Sequence, residues 1–157
     1  ITINQSSVKI KIMKKNIIIV GGHEQACNMF ELLLSSNDVE IQLCILRSDD
    51  KGDDDIFPSL QKKAKTHGIP TIQPKSLNNS LATKVVKRYK PDIILSLQNN
   101  MIFSDSWISM LDQKLGIVNI HYAPLPKYAG FWPEMWAIWN DERDFAVTMH
   151  YVNKGID

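Results

Sequence analysis

The sequence has 157 residues, of which 44% are hydrophobic and 22% charged, a globular balance that excludes a disordered chain. Lysine and arginine total 18 and aspartate and glutamate 17, so the net charge gives no overall attraction to nucleic acid or to an anionic membrane. The sequence shows no apolar run of the roughly 20 residues that a membrane helix needs, and its start lacks the apolar stretch of a signal peptide. We therefore expect a cytoplasmic protein with neither a membrane nor a nucleic-acid partner.

Two further features concern the chain's organisation. Met13, followed by KKNIIIV, looks like a natural start, so residues 1–12 are expected to be an N-terminal extension without an assigned role. Cys27 and Cys44 have no metal-ligand spacing, and we expect buried, reduced thiols rather than a disulfide.

Strand and helix patterns alternate along the chain. Ile17–Val20 is a continuous β-branched run, typical of a strand buried on both faces, and Gly21-Gly22 ends it. Further strands are predicted over 39–46, 71–72, 92–97, 116–120 and 146–152, and helices over about 24–36, 58–67, 81–89, 104–111 and 133–139, with Pro58 in the first turn of its helix. This order predicts an α/β fold, a doubly wound, mostly parallel Rossmann-like sheet with helices on both faces.

Ligands in such sheets bind beyond the carboxyl ends of the strands, where the sequence places 21–23, 98–100 and 119–121. Asn119 and His121 are two residues apart at a strand end, so the period of a strand puts both side chains on one side. Histidine titrates near neutral pH, although a histidine beside a strand end is more often structural than catalytic. The acidic run Asp53–Asp55 is expected to be a solvated loop.

Four blocks of the sequence carry a resemblance: NIHYAPLPKYAG (119–130), PEMWAIWNDE (133–142), AVTMH (146–150) and GID (155–157). Together they resemble the folate-dependent formyltransferase superfamily, whose pattern is Asn-x-His, a Leu-Pro-x-Tyr-x-Gly loop and an aspartate closing a Gly-x-Asp turn. The separation of 36 residues between His121 and Asp157 fits that pattern. The resemblance covers almost the whole chain, so we expect residues 13–157 to form a formyltransferase-like catalytic domain, truncated at its C-terminal end.

The resemblance implies transfer of a formyl group from 10-formyltetrahydrofolate to a primary amine, without a metal. Asn119 would donate a hydrogen bond to the developing oxyanion, His121 would relay the amine proton or stabilise the oxyanion, and Asp157 would orient the imidazole. Folate contacts are implied in the loop of Gln98, Asn99, Asn100, Met101 and Ile102, with side-chain capping of that loop as an equal alternative. Substrate contacts are predicted at Gly22, Tyr122, Pro124, Lys127, Tyr128 and Trp136.

The identity of the amine depends on weaker signals. Trp136 resembles the Pro-x-x-Trp of amino-sugar formyltransferases, and GGHEQACN replaces the Gly-Ser-rich loop of glycinamide ribonucleotide enzymes. We therefore favour a nucleotide-linked amino sugar, although Ala129 stands where those enzymes often carry arginine. The alternatives are glycinamide ribonucleotide, methionyl-tRNA, or an incomplete, inactive binding domain, an alternative motivated by the end of the sequence at Asp157. A homodimer through C-terminal elements beyond Asp157 is a further expectation.

Several residues are expected to be structural only. His150 lies in a predicted strand and is expected to pack. Trp132, Trp136 and Trp139 cluster on or beside one helix, where core packing is expected, with one ring stacking on a ligand as the alternative.

Overall fold

The structure of the protein is a computed structural model that describes residues 13–52 and 57–154. The predicted extension 1–12, the acidic run Asp53–Asp55 and the predicted Gly-x-Asp turn with Asp157 lie outside the described residues.

Strands and helices alternate throughout the described part of the chain. The strands are β1 (Lys15–Gly21), β2 (Val39–Leu46), β3 (Thr71–Ile72), β4 (Ile93–Leu97), β5 (Ile117–His121) and β6 (Thr148–Tyr151). The helices are α1 (His23–Leu34), α2 (Leu60–Thr66), α3 (Ser80–Tyr89), α4 (Asp105–Met110) and α5 (Pro133–Trp139). The limits of each element lie within two residues of those predicted from the sequence.

The strands form one sheet in the order β3-β2-β1-β4-β5-β6. Each pair among the first five strands is parallel, and β6 pairs with β5 antiparallel, so the predicted, mostly parallel sheet is confirmed. The strand order reverses between β1 and β4. In open sheets of this kind, that reversal creates the crevice in which ligands bind.

Both faces of the sheet are buried, and β1 shows why. Ile17 and Ile19 pack with α1 and α2 through residues such as Phe30, whereas Ile18 and Val20 pack with α3 and α4 through residues such as Trp107. This alternation is the period of a strand covered on both sides. The predicted helices on both faces are therefore confirmed.

The carboxyl ends of β1 and β4 are in close contact. Gly21 has φ +146°, and a Cβ atom there would lie 1.8 Å from the carbonyl oxygen of Leu97. The same oxygen accepts a hydrogen bond of 3.2 Å from the backbone N–H of Gly22. Glycine is required here because β4 occupies the space that any side chain would need.

Two predictions about the helices were wrong. Pro58 lies before α2 rather than in its first turn, because the Ser59 side chain accepts from the Lys62 N–H and caps the helix that begins at Leu60. The tryptophans do not pack in the core: Trp132, Trp136 and Trp139 are 72%, 55% and 83% exposed. The buried residues of α5 are the small Pro133 and Ala137, so its large side chains point outward. None of the described helices has the length and apolar character needed to span a membrane.

Candidate active site

Strand β5 presents Asn119 and His121 on the same face, as its period predicts. Val118 and Ile120 pack against the α1–α2 side of the sheet, so their neighbours point to the opposite side. In the pairing of β5 with the adjacent strand β6, Asn119 lies opposite His150 and His121 lies opposite Thr148. His121 is the last residue of β5 and is buried. The two side chains therefore share one end of the sheet with two polar residues of β6.

The loop that follows β5 folds back over His121. The Nε2 atom of His121 lies 2.9 Å from the backbone carbonyl oxygen of Tyr128. A carbonyl oxygen can only accept, so Nε2 carries a proton in this contact. Thr148 anchors the start of the loop, since its hydroxyl donates to the carbonyl of Ala123 (2.6 Å) and accepts from the N–H of Leu125 (3.2 Å). The imidazole is thus held by a hydrogen bond to the backbone of the loop.

Glu142 binds the outer side of this loop. Its carboxylate accepts from Lys127 Nζ at 2.5 Å and from the Tyr128 hydroxyl at 2.6 Å, and Asn140 donates to that hydroxyl at 3.2 Å. These bonds lower the pKa of Glu142 and raise the pKa of Lys127. The polar ends of two predicted substrate contacts, Lys127 and Tyr128, are therefore engaged in fastening the loop to the segment after α5.

His150 has polar partners, so the expectation that it only packs was wrong. Its Nε2 lies 3.2 Å from Asn119 Nδ2, and its Nδ1 lies 3.2 Å from the carbonyl oxygen of Tyr151. The sequence contains a signal for this placement. Thr148 and His150 are two residues apart in AVTMH, so they must face the same side of a strand. The strand that pairs with them could not be identified from that pattern.

The loop after β4 is capped by one of its own side chains. Asn99 Nδ2 donates to the carbonyl of Met101 at 2.6 Å, and Asn99 Oδ1 accepts from the N–H of Met101 at 3.0 Å. This capping is the alternative that the sequence left open for Asn99. Met101 is buried beneath the loop and Ile102 is exposed at its end.

Three amide oxygens near this loop are buried without a hydrogen-bond partner among the described residues: Gln25 Oε1, Gln98 Oε1 and Asn100 Oδ1. Gln25 lies in the first turn of α1, directly after β1, and the other two follow β4, the strand beside it. A buried acceptor without a donor costs about 1–3 kcal/mol. The N–H or O–H groups of a ligand would satisfy these oxygens. The sequence analysis did not predict Gln25 as a site residue. Its position just after the end of a strand was the only feature that could have indicated it.

Arg47 connects the ends of three strands. Its Nη1 donates to the carbonyl of Gln98 at 2.6 Å, and its Nε and Nη2 donate to the two carboxylate oxygens of Asp49 at 2.8 Å each. These bonds lower the pKa of Asp49. Gly22, a predicted substrate contact, packs against the aliphatic part of the Arg47 side chain, since a Cβ at Gly22 would lie 2.9 Å from Arg47 Cδ. Arg47 thus fixes the loop after β4 relative to β1 and β2.

The remaining predicted substrate contacts are two residues of the loop after β5 and one residue of α5. Burial raises the pKa of the Tyr122 hydroxyl, and the carboxylates of Glu134 and Glu24 raise it further. Tyr122 therefore lies near the first turns of both helices. Pro124 is half-buried in the loop after β5, and Trp136 is exposed on α5. The structure brings Asn119, His121 and the loop after β5 together at one end of the sheet.

Comparisons with known proteins agree with this arrangement. A family model described as formyl transferase matches residues 13–157. The bifunctional polymyxin resistance protein ArnA of Wigglesworthia glossinidia brevipalpis is 38% identical over 114 residues, which are 72% of this chain and 17% of that protein. This chain therefore spans less than a fifth of the length of that curated relative.

Solved structures show the same fold. An N-formyltransferase from Helicobacter canadensis, in complex with folinic acid and dTDP-3-aminofucose, is 26% identical with a TM-score of 0.68, covering 92% of this chain and 49% of that chain. A phosphoribosylglycinamide formyltransferase from Anaplasma phagocytophilum is 20% identical with a TM-score of 0.74, covering 92% and 68%. From the family match and the 38% identical relative, the chain belongs to the folate-dependent formyltransferase superfamily.

Proposed function

We propose that the protein transfers the formyl group of 10-formyltetrahydrofolate to the amino group of a nucleotide-linked amino sugar. The observation that carries this proposal is the common face of Asn119 and His121 at the end of β5, within a chain matched by the formyl transferase family over residues 13–157.

Asn119 would stabilise the charge that develops during attack of the amine on the formyl carbon. Its side-chain amide can donate a hydrogen bond to the oxyanion, and its position on β5, which is paired on both sides, fixes where that donor lies. A single preorganised donor of this type contributes about 3–4 kcal/mol to the stability of the transition state.

His121 would accept the proton that the amine loses. Nε2 of its ring is held by the carbonyl of Tyr128, and an imidazole can both accept and pass on a proton. Such general base assistance contributes about 10²–10⁴ in rate. Asp157 remains the proposed residue that orients this ring, on the basis of its spacing in the sequence.

Two buried amide oxygens support a folate site at the loop after β4. The buried oxygens of Gln98 and Asn100 need donors, and a pterin ring presents several N–H groups. We propose that Gln98, Asn100, Met101 and Ile102 line the folate site, while Asn99 keeps the loop closed through its bonds to Met101. When bound, the folate would supply the activated formyl group. The Helicobacter canadensis relative was solved with folinic acid.

An amino sugar is the favoured acceptor for two reasons. The Helicobacter canadensis relative was solved with dTDP-3-aminofucose. In this chain Trp136 is exposed on α5, so its indole face is accessible for stacking on a ring of the substrate. Tyr122 and Pro124 belong to the loop that connects β5 with this helix, and we propose that they line the path of the acceptor.

The test is a formyl-transfer assay of the full-length natural protein with 10-formyltetrahydrofolate and a panel of amines. The panel contains dTDP- and UDP-linked amino sugars and glycinamide ribonucleotide. We expect turnover of at least one amino sugar. Turnover of glycinamide ribonucleotide alone would overturn the sugar assignment, and folate binding without transfer to any amine would favour the inactive binding domain.

A pair of histidine variants tests the chemistry in the same assay. We expect His121→Ala to lower kcat by about 10²–10⁴ while folding normally. His67, which caps the end of α2 and packs edge-on against Phe30 at 5.7 Å, provides the matched control, and His67→Ala is expected to retain the wild-type rate. Unaltered transfer by His121→Ala would contradict the mechanism.

A further inference from the structure

An open cavity of about 310 Å³ lies between the segment that follows β3 and the first half of α3. Most of its lining residues are apolar, namely Ile72, Pro74, Leu81, Ala82 and Val85. Pockets for small molecules begin at roughly this size, about 300 Å³. None of the lining residues belongs to the candidate active site, so the proposed formyl transfer does not account for this cavity.

The apolar lining exists because α3 has a wider apolar face than the core covers. Ala82 and Val86 of this helix are buried, whereas Leu81 is 65% exposed and Val85 is half-buried. Leu81 and Val85 are four residues apart, so they lie one above the other on one side of the helix. A ligand with an apolar body would therefore bury side chains that the fold leaves accessible to water, which stabilises the bound state.

The cavity lies in a basic stretch of the chain. Residues 56–91 contain seven lysines, one arginine and no aspartate or glutamate, whereas the whole chain has a net charge of only +1. Lys75 lines the cavity, and its ammonium group has no hydrogen-bond or ion-pair partner among the described residues. A local excess of positive charge attracts anions, and no carboxylate of the same stretch competes for Lys75.

The other two polar residues of the lining already have partners. Gln73 Nε2 donates to the backbone carbonyl oxygens of Arg47 and Asp50, and Asn79 Oδ1 accepts from the N–H of Leu81 at 2.8 Å. Lys75 is therefore the charged group through which the cavity recognises a ligand. We propose that the cavity binds a small amphipathic anion, with its aromatic or aliphatic body against Leu81 and Val85 and its acidic group at Lys75.

Two fluorescent probes with the same apolar body test the choice of an anion. These are 8-anilinonaphthalene-1-sulfonate and N-phenyl-1-naphthylamine, which lacks the sulfonate. Fluorescence titration of the full-length protein should give a Kd of about 10–100 μM for the sulfonate. The neutral probe should bind at least about threefold more weakly, because it makes no ion pair with Lys75. Equal affinity for the two probes, or no saturable binding of the sulfonate, would overturn the inference.

Two pairs of variants locate the bound probe. Lys75→Gln should raise the Kd of the sulfonate about threefold to tenfold and leave that of the neutral probe within twofold. Its matched control is Lys65→Gln, which removes an exposed lysine from α2 on the opposite face of the sheet. Leu81→Gln should raise the Kd of both probes about threefold to tenfold, because it removes apolar lining. Leu32→Gln on α1, where the leucine is 63% exposed, is its control.

All four substitutions are at exposed positions, so the variants should melt within a few degrees of the wild-type protein. Both control variants should bind the sulfonate with the wild-type Kd. Wild-type affinity in Lys75→Gln and Leu81→Gln would show that the probe binds elsewhere, for instance on the exposed tryptophans of α5, and the inference would be wrong. Saturating folinic acid should leave the Kd of the sulfonate within twofold. Displacement by folinic acid would assign the probe to the proposed folate site instead of the cavity at α3.

Discussion

The Nε2 atom of His121 lies 2.9 Å from the backbone carbonyl oxygen of Tyr128, seven residues farther along the chain. The loop that leaves β5 thus returns to hold the last side chain of that strand. Its return uses backbone conformations with positive φ at Tyr128 (61°) and Gly130 (95°). The orientation of the proposed general base therefore depends on the path of the loop backbone.

Changing Gly130 to alanine should disturb this path. Among the described residues, no atom lies within 4 Å of a Cβ built at Gly130, so we expect a cost from backbone strain of about 1–2 kcal/mol. We expect that loss in the free energy of unfolding, measured by urea denaturation, together with a lower kcat for transfer. Gly68→Ala is the matched control, since Gly68 also has positive φ and open space around it but follows α2, away from β5. The control should lose similar stability and keep its activity; a fully active Gly130→Ala variant would show that the loop path does not orient His121.

Glu142→Gln should weaken the attachment of the same loop. The carboxylate accepts from both Lys127 and Tyr128, and a neutral amide cannot replace the ionic part of that contact. Exposed ion pairs contribute little to global stability, so we expect an unchanged melting temperature and a fall in kcat/KM of roughly threefold to tenfold through misplacement of the loop. Glu31→Gln removes another exposed pair, with Lys63 between α1 and α2, and should leave the rate unchanged. A loss of the same size in both variants would point to a general charge effect.

The pH dependence of this attachment has a definite sign. The bonds from Lys127 and Tyr128 lower the pKa of Glu142 below its ordinary value of 4.5. A lowered pKa in the folded state means that the attachment is complete above pH 4.5 and is lost as the pH falls through the folded value. Limited proteolysis of the loop should therefore be equal at pH 6 and 8 and increase only in acid. Increased cleavage between pH 8 and 6 would contradict this assignment.

The order of the elements was predictable because each strand has a local signature. The run Ile17–Val20 is apolar at every position, which only burial on both faces explains, and the structure provides both layers of helices. The common face of Asn119 and His121 followed from the period of a strand. These features depend on neighbours in the sequence, so the sequence contained enough information for them.

Two of the three errors concern contacts between distant segments, and the third is a local competition. His150 meets Asn119 because β6 runs antiparallel to β5 in a particular register, and nothing within AVTMH specifies that register. The exposure of Trp139 follows from which face of α5 is buried, and that face contains Pro133 and Ala137 rather than the aromatic rings. The start of α2 was misplaced because the Ser59 cap competed with the preference of Pro58 for a first turn. In each case the deciding interaction was one of several that the sequence allows.

The tryptophans differ in burial, and this difference predicts their contributions to stability. Trp107 is fully buried, packs edge-on against Phe103 at 5.8 Å and donates from Nε1 to the carbonyl of Leu77 at 2.7 Å. Trp107→Phe leaves that carbonyl without its donor and should cost about 1–3 kcal/mol in the free energy of unfolding. Trp139→Phe, on the exposed side of α5, should change it by less than about 0.5 kcal/mol. Urea denaturation of both variants checks this, and similar costs at the two positions would contradict the exposure of α5.

The two cysteines should be unreactive in the folded protein. Both are buried as reduced thiols, and burial raises the pKa of Cys27 to about 11 and that of Cys44 to about 12. The thiolate is the reactive form, so at pH 8 only about one Cys27 thiol in a thousand is ionised before access is considered. We expect Ellman's reagent to modify neither thiol at pH 8 until urea unfolds the protein. Rapid modification of folded protein would contradict the burial of these side chains.

The same raised pKa values predict a loss of stability in alkali. Unfolded thiols ionise near pH 8.5, whereas the folded ones hold their protons to about pH 11 and 12, so between these limits the folded state binds more protons. The free energy of unfolding must then fall as the pH rises from about 9. Cys44→Ala removes the thiol with the higher pKa and should make this decline shallower, while Glu40→Gln, at an exposed position of β2, should leave the slope unchanged. If the decline were equally steep without Cys44, its cause would be lysine or tyrosine titration, and the buried thiol would have no part in it.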